Sequence, residues 1–411
     1  MKVVVIGTYP PRKCGIATFT QDLYRSLTAQ QQQVDICAIT DGTEAPFPSE
    51  VKYSIPRDSE DSYLQTANWI NNNDYDCCII QHEFGIFGNV SGDHILLLAE
   101  RVNIPIITNL HTVLENPSPA EYQVLKQLAT YSSMLTVMTN RAITMLKEVY
   151  DISPYKIRMI PHGIPDFSIT SQQAKEKLGL TNKIVMLSFG LLGPSKGYEV
   201  AIQAAAQVTH PDFVYIILGA THPNVLLNEG ENYKDKLMAL QKDLNLEERV
   251  VFVNQYASDE LLQTYLKACD IYVTPYPNVN QMSSGTLTFA LGAGAAVLST
   301  PYWYAKDLLA GGRGSLFDFN DATGLASQIN ELLSNQEKMQ TYRSNAMAFG
   351  KTMSWTNVAR LVSALMKSLA IDRKARPNKL ATKLLERKNI SPENTVYFPS
   401  GSINKDRRST I

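Results

Sequence analysis

The densest cluster of groups suited to anion binding is Ser283-Ser284-Gly285-Thr286-Leu287. It follows a β-rich run at Ile271–Thr274 and opens an apolar segment of small residues before a second β-rich run at 297–300, so the pattern predicts strand, loop, helix, strand. Ser283 or Ser284 can cap the helix, and Gly285 lets a ligand approach the backbone closely. The N–H groups of Gly285, Thr286 and Leu287 would then point outward with the positive end of the helix dipole behind them, an arrangement that binds phosphate. The same residues also read as a plain cap on a helix whose small side chains (Ala290, Gly292, Ala293, Gly294) pack tightly on a sheet.

A lysine stands in a comparable loop upstream. Phe189-Gly190-Leu191-Leu192-Gly193-Pro194-Ser195-Lys196-Gly197 ends a predicted strand and precedes a helix. Lys196, framed by Pro194 and Gly197, would face the same cleft as Gly285, and one ammonium with several N–H donors can neutralise a diphosphate. Alone it reads equally as a solvated surface lysine; the pairing with Gly285 favours function. Glu199 on the following helix either reaches a ribose or stays exposed. Thr221 and His222 sit in a strand-end turn of the kind that lines clefts, and Gln255 and Tyr256 either flank a nucleobase or form a local hydrophobic cap. In the N-terminal half, Gly15 opens a helix where a phosphate or sugar could meet backbone N–H groups. His82 and His111 each lie just past a strand, where an imidazole can donate to a substrate hydroxyl or merely satisfy local backbone.

Other chemistries find no support. There is no GxGxxG fingerprint and no GxSxG elbow. The five cysteines lack paired CxxC spacing, which argues for reduced thiols in a cytoplasmic protein without a zinc site. A net charge of −1 speaks against nucleic acid as a partner. The N-terminal apolar run Val3–Ile6 is too short for a signal peptide, and no stretch reaches spanning length.

These loops require elements to hold them. Strands are predicted at Val3–Ile6, Val34–Ile39, Cys77–Ile80, Ile104–Thr108, Met134–Met138 and Ile157–Ile160, with helices near 17–29, 60–72, 92–102, 118–131 and 140–149 between them. After a linker with a short helix the rhythm restarts at Ile184–Phe189, Val214–Leu218, Val250–Val253, Ile271–Thr274, Val297–Ser299 and Leu316–Phe317. Apolar strands joined by crossover helices imply parallel sheets covered on both faces. The expected fold class is therefore α/β, with two Rossmann-like doubly wound domains facing across a cleft. The N-terminal domain spans 1–165, the linker 166–182 and the C-terminal domain 183–354. A return helix follows at 355–370, then a basic, weakly ordered tail at 371–411. Residues 372–411 carry ten Lys/Arg against four acids, which leaves peripheral membrane-surface contact open beside simple solvation.

YPPRKCGIATF, TNLHT, IPHGIPD, FGLLGPSKG, SSGTLTFALGAG and the Trp355 helix, in this order, resemble retaining nucleotide-sugar glycosyltransferases of family 4 over about residues 1–370. The resemblance implies the GT-B arrangement, with the nucleotide diphosphate on the C-terminal domain, the acceptor on the N-terminal domain and the last helix crossing back. It implies transfer of a hexose, such as mannose or glucose, to a glycan or small-molecule hydroxyl with retention. No metal is implied, because no Asp-x-Asp stands in a strand-end loop of the kind metal-dependent transferases use, and no other cofactor is expected beside the nucleotide sugar. By the same resemblance His111 and Gln281 lie near the donor sugar, Lys196 holds the diphosphate, and Gly190 and His162 join the binding residues. The chain departs from the family pattern at Leu191, where an arginine is usual, and at Gln281 and Phe289, where the Glu-x7-Glu acids would stand. These departures keep open a catalytically silent sugar-nucleotide or glycan binder, and a GT-B epimerase or phosphorylase.

Overall fold

The computed structural model describes residues 1–42 and 46–375. Seven strands form the first sheet: β1 Lys2–Gly7, β2 Gln33–Thr40, β3 Val51–Pro56, β4 Cys77–His82, β5 Ile106–Leu110, β6 Met134–Val137 and β7 Ile157–Met159. All neighbours pair in parallel, in the order β3-β2-β1-β4-β5-β6-β7. The second sheet repeats this plan with β8 Ile184–Phe189, β9 Phe213–Leu218, β10 Val250–Val253, β11 Ile271–Thr274, β12 Ala296–Ser299 and β13 Gly314–Leu316, ordered β10-β9-β8-β11-β12-β13. The central strands are apolar on both faces because helices cover both: Val3 to Ile6 and Ile271 to Val273 are fully buried. Strand β3 escaped the sequence pattern. It is an edge strand whose Lys52, Ser54 and Pro56 are exposed, so it lacks the continuous apolar run of its neighbours.

In each sheet the strand order reverses direction next to the first strand, between β1 and β4 and between β8 and β11. Loops leaving the carboxyl ends of such strands splay apart, and the crevice between them is where doubly wound sheets bind ligands. The four loops concerned carry Gly15, His82 to Glu83, Gly190 to Gly197 and Tyr276 to Ser284.

The short helix expected in the linker segment is Ser171–Leu178, started by a capping box between Thr170 and Gln173. It packs as part of the second domain: Lys175 Nζ lies 2.6 Å from Asp270 Oδ2, and Lys177 Nζ 2.6 Å from Glu260 Oε1. The chain crosses between domains twice, and the crossings pair with each other. Ile164 N–H donates to Met353 O at 2.9 Å, and Trp355 N–H donates to Ile164 O at 3.0 Å.

The return helix, Trp355–Ala375, then lies on the helix Gly15–Ala29 of the first domain. The Trp355 and Phe19 rings meet edge-on at 5.0 Å, and Gln30 Nε2 donates to Thr356 O at 2.8 Å. Buried Val358, Val362 and Met366 join a core that runs through Phe19 and Phe289 into Val185 and Leu187 of the second sheet. The basic tail lies, from residue 376 onward, outside the described residues. Among the described residues no helix is long and apolar enough to cross a membrane.

Candidate active site

The second-domain wall is built around helix Gly285–Ala293. Ser284 is its N-cap, with its Oγ accepting from Leu287 N–H at 3.2 Å. That contact corrects the expectation of three free donors. Leu287 is fully buried and its N–H is consumed by the cap, so the outward donors are those of Gly285 and Thr286. Gly285 sits against the interdomain histidine: a Cβ there would lie 3.1 Å from His162 Nε2.

Lys196 does converge on this helix end. Gly197, at φ +64°, lets the loop after β8 press against the end of β11, where an added Cβ would stand 2.2 Å from Pro275 O. Lys196 Nζ consequently lies 4.3 Å from the centre of the Tyr276 ring. The Tyr276 hydroxyl pairs with Thr286 Oγ1 at 2.8 Å, and Thr286 Oγ1 with Ser284 Oγ at 3.1 Å. A continuous chain of contacts therefore joins the ammonium to the helix terminus. Tyr276 was not anticipated. Its only sequence signal is an aromatic residue between two prolines at the end of a strand.

Beside Lys196 opens a cavity of about 300 Å³ lined by Leu191, Gly193, Ser195, Lys196, His222 and Val225. His222 is held by its backbone N–H, which donates to Leu192 O at 2.8 Å, and its pKa is lowered by burial and then by the Lys196 charge. Gly190, at φ +134°, reaches the same helix: a Cβ there would be 3.5 Å from Thr286 Cγ2. Other expected residues are engaged elsewhere. Glu199 accepts from the Tyr233 hydroxyl at 2.7 Å, and Thr221 donates its hydroxyl to Glu231. Gln255 and Tyr256 are exposed, and Lys13 Nζ of the first domain stands 5.5 Å above the Tyr256 ring. Gln281 donates its amide to Ser283 O at 2.7 Å, and Phe289 is buried, stacked against Phe189 and edge-on to His162.

On the first-domain side, His111 O accepts from Ser283 Oγ at 3.4 Å, so the strand-end loop of β5 touches the phosphate-type loop directly. The imidazole itself turns inward. Its Nε2 is 2.8 Å from Gln81 Oε1, its ring meets Phe19 edge-on at 4.8 Å, and burial lowers its pKa to about 3, with His162 and His82 adding to the effect.

His162 is likewise buried. It pairs through Nδ1 with Gly163 O at 2.9 Å, and burial lowers its pKa to about 4. His82 is enclosed completely between Phe84 and Phe87, with neither ring nitrogen partnered, and its pKa is lowered to about 4 by burial. Enclosure of this kind keeps His82 from the cleft in this structure. Glu83, next in the chain, is a further group the motif reading passed over. It accepts from Phe84 N–H at 3.1 Å and from the Thr112 hydroxyl, and burial raises its pKa. Gly15 is exposed with open space above it. Among the described residues no group of three His, Cys, Asp or Glu side chains could hold a metal ion.

Residues 170–349, most of the second domain, match the family described as Glycosyl transferases group 1. That part of the chain is a glycosyltransferase group 1 domain. The whole fold is GT-B: it superposes on an Anabaena protein, Alr3699/HepE, solved in complex with UDP, with TM-score 0.74 and 17% identity over 90% of this chain and 100% of that one. Sucrose-phosphate synthase of Thermosynechococcus elongatus gives TM-score 0.71 and 17% identity over 90% and 99%. In sequence, the chain is 24% identical to D-inositol 3-phosphate glycosyltransferase of Acidothermus cellulolyticus over 318 residues, 72% of this chain and 69% of that protein. It is 27% identical over 217 residues to a Campylobacter jejuni N-acetylgalactosaminyltransferase acting on a diphospho-undecaprenol, covering 52% of this chain and 54% of that one. The group 1 domain thus coincides with the wall that carries Lys196 and the capped helix.

Proposed function

We propose that the chain is a cytoplasmic glycosyltransferase that moves a hexose, mannose or glucose, from a nucleotide diphosphate sugar to a hydroxyl acceptor with retention of configuration. The observation that carries this reading is the linked set Lys196, Tyr276, Thr286 and Ser284, which joins one cation to the helix end that bears the Gly285 and Thr286 N–H groups. Such a set is matched to a diphosphate: charge is stabilised by a pre-organised donor array, and the rest of catalysis is positioning. The acceptor hydroxyl forms its bond to the anomeric carbon on the face from which the diphosphate departs, and its proton passes to a diphosphate oxygen. No protein nucleophile or metal is needed in that sequence. In this reading His111 borders the sugar at the acceptor side.

The position of the Anabaena protein among the structural neighbours, solved with UDP, supports a nucleoside diphosphate as ligand. Calorimetric titration with UDP, GDP and ADP tests the first step; no heat at millimolar concentration with all three would end the proposal. One observation favours a second reading. With Phe289 buried against Phe189 and Gln281 tied to Ser283, the acids usual in the family are replaced by groups occupied in packing. A silent binder would give titration heat without nucleoside diphosphate release when donor and an acceptor mixture are supplied. A phosphorylase would consume inorganic phosphate, and an epimerase would alter the donor with no acceptor present.

A further inference from the structure

Parallel central strands rarely carry buried amides, because a buried amide group left unpaired pays a desolvation penalty. Strands β4 and β5 carry one each at their carboxyl ends, Gln81 and Asn109, both buried beside His111; the Gln81 oxygen is paired, while its Nε2 has no partner among the described residues. Thr136 on β6 donates its hydroxyl to Asn109 Oδ1 at 2.9 Å, and Asn109 Nδ2 donates to Gln81 Oε1 at 2.8 Å. His111 Nε2 reaches the same Gln81 oxygen at 2.8 Å. An amide oxygen only accepts, so the imidazole meets it as a donor; the competing contact in which Nε2 would accept from Asn109 Nδ2 is longer, 3.4 Å. Its other nitrogen, Nδ1, has no hydrogen-bond partner among the described residues.

We propose that Gln81, backed by Asn109 and Thr136, is a positioning residue that fixes His111 as the Nε2–H tautomer and leaves the Nδ1 lone pair to accept a hydroxyl of the transferred sugar. The role rests on the transfer reading above. It extends that reading by specifying what the histidine presents, an acceptor rather than a cation or a donor. The arrangement follows general physics: the partner of one ring nitrogen decides the protonation of the other. Enclosure against the Phe19 face keeps the ring neutral at the same time.

The test is ¹⁵N NMR of the full-length chain labelled at histidine, with the His111 signals assigned by their loss in His111→Asn. Nε2 should show the pyrrole-type shift and Nδ1 the pyridine-type shift. A protonated Nδ1 in the wild type overturns the proposal without reference to any assay. In Gln81→Leu the tautomer preference should be lost, and kcat should fall about 10- to 100-fold, the scale seen when the outer-shell partner of a metal-bound histidine is removed, with donor KM unchanged. Gln81→Glu, which keeps an acceptor in place, should restore the Nε2–H tautomer. Wild-type tautomer and kcat in Gln81→Leu would overturn the assignment. A chain inactive with every donor would sink the transfer reading while the ring tautomer still decides this one.

Discussion

Lys196→Ala is the perturbation that tests the site most directly. The ammonium is partly buried and 4.3 Å from the Tyr276 ring centre, so its position is maintained before any ligand arrives. A charge-assisted hydrogen bond to a diphosphate oxygen contributes about 1.5–3 kcal/mol. At about 1.4 kcal/mol per tenfold, its loss raises Kd roughly 10- to 150-fold. The exposed side of the lysine is screened by salt, so the lower end is expected at physiological ionic strength and the effect should shrink as salt rises.

Calorimetry with UDP in wild type, Lys196→Ala and Tyr276→Phe resolves the parts. Tyr276→Phe keeps the ring under the ammonium but cuts the hydroxyl contact to Thr286 at 2.8 Å, so its loss should be smaller, on the order of threefold to tenfold, as for one neutral hydrogen bond. A second readout does not depend on ligand. The Lys196 charge is one of the two causes lowering the His222 pKa, so that pKa should rise in Lys196→Ala. A Kd within twofold of wild type, together with an unmoved His222 titration, would place the ammonium away from the crevice and refute the argument.

The cap should matter to stability as well as binding: Ser284→Ala should cost about 1 kcal/mol by denaturant titration and weaken UDP binding with it. His111→Ala should lower turnover at least tenfold, by loss of a positioned group, while UDP affinity measured by calorimetry stays within about twofold. His82→Phe should stabilise the fold increasingly toward acid. The His82 pKa is about 4 when folded against an ordinary 6.5, so the folded chain binds fewer protons than the unfolded one between those values, and stability present above pH 6.5 drains away as pH falls toward 4. Asp22, whose pKa is raised to about 7 by burial, works in the opposite direction, so the quantity to follow is the difference between variant and wild type across pH 7 to 4.5. Gly163→Ala would place a Cβ 2.0 Å from the Trp355 indole, so a loss of about 1–3 kcal/mol with altered tryptophan fluorescence is expected from displacing the return helix.

Much of the fold was legible in the chain itself. Continuous apolar runs such as Val3 to Ile6 and Val214 to Leu218 can be satisfied only by parallel strands covered on both faces, and their alternation with helical periods implies two doubly wound sheets. Gly285 after two serines marked a helix start, because only a short list of side chains can satisfy the first free N–H groups. Edge strand β3 was illegible for the converse reason: half of it faces water, and its pattern is that of a loop.

Side-chain direction was beyond the reach of one-dimensional pattern. A histidine at the end of β5 looks the same whether it faces the cleft or turns back; the Gln81 amide from β4, placed beside it by strand pairing, decides that Nε2 turns inward. The aromatic walls of Phe84 and Phe87 enclose His82, although it sits just as close to a strand end. Lys196 and Thr286 are ninety residues apart in the chain, and Tyr276 joins them only because β8 and β11 are neighbours in the sheet. Local spacing and chemistry therefore determined which elements form and which loops can bind anions. The register of distant strands determined which polar groups meet, because a hydrogen bond requires two atoms within about 3 Å and sequence distance carries no information about that.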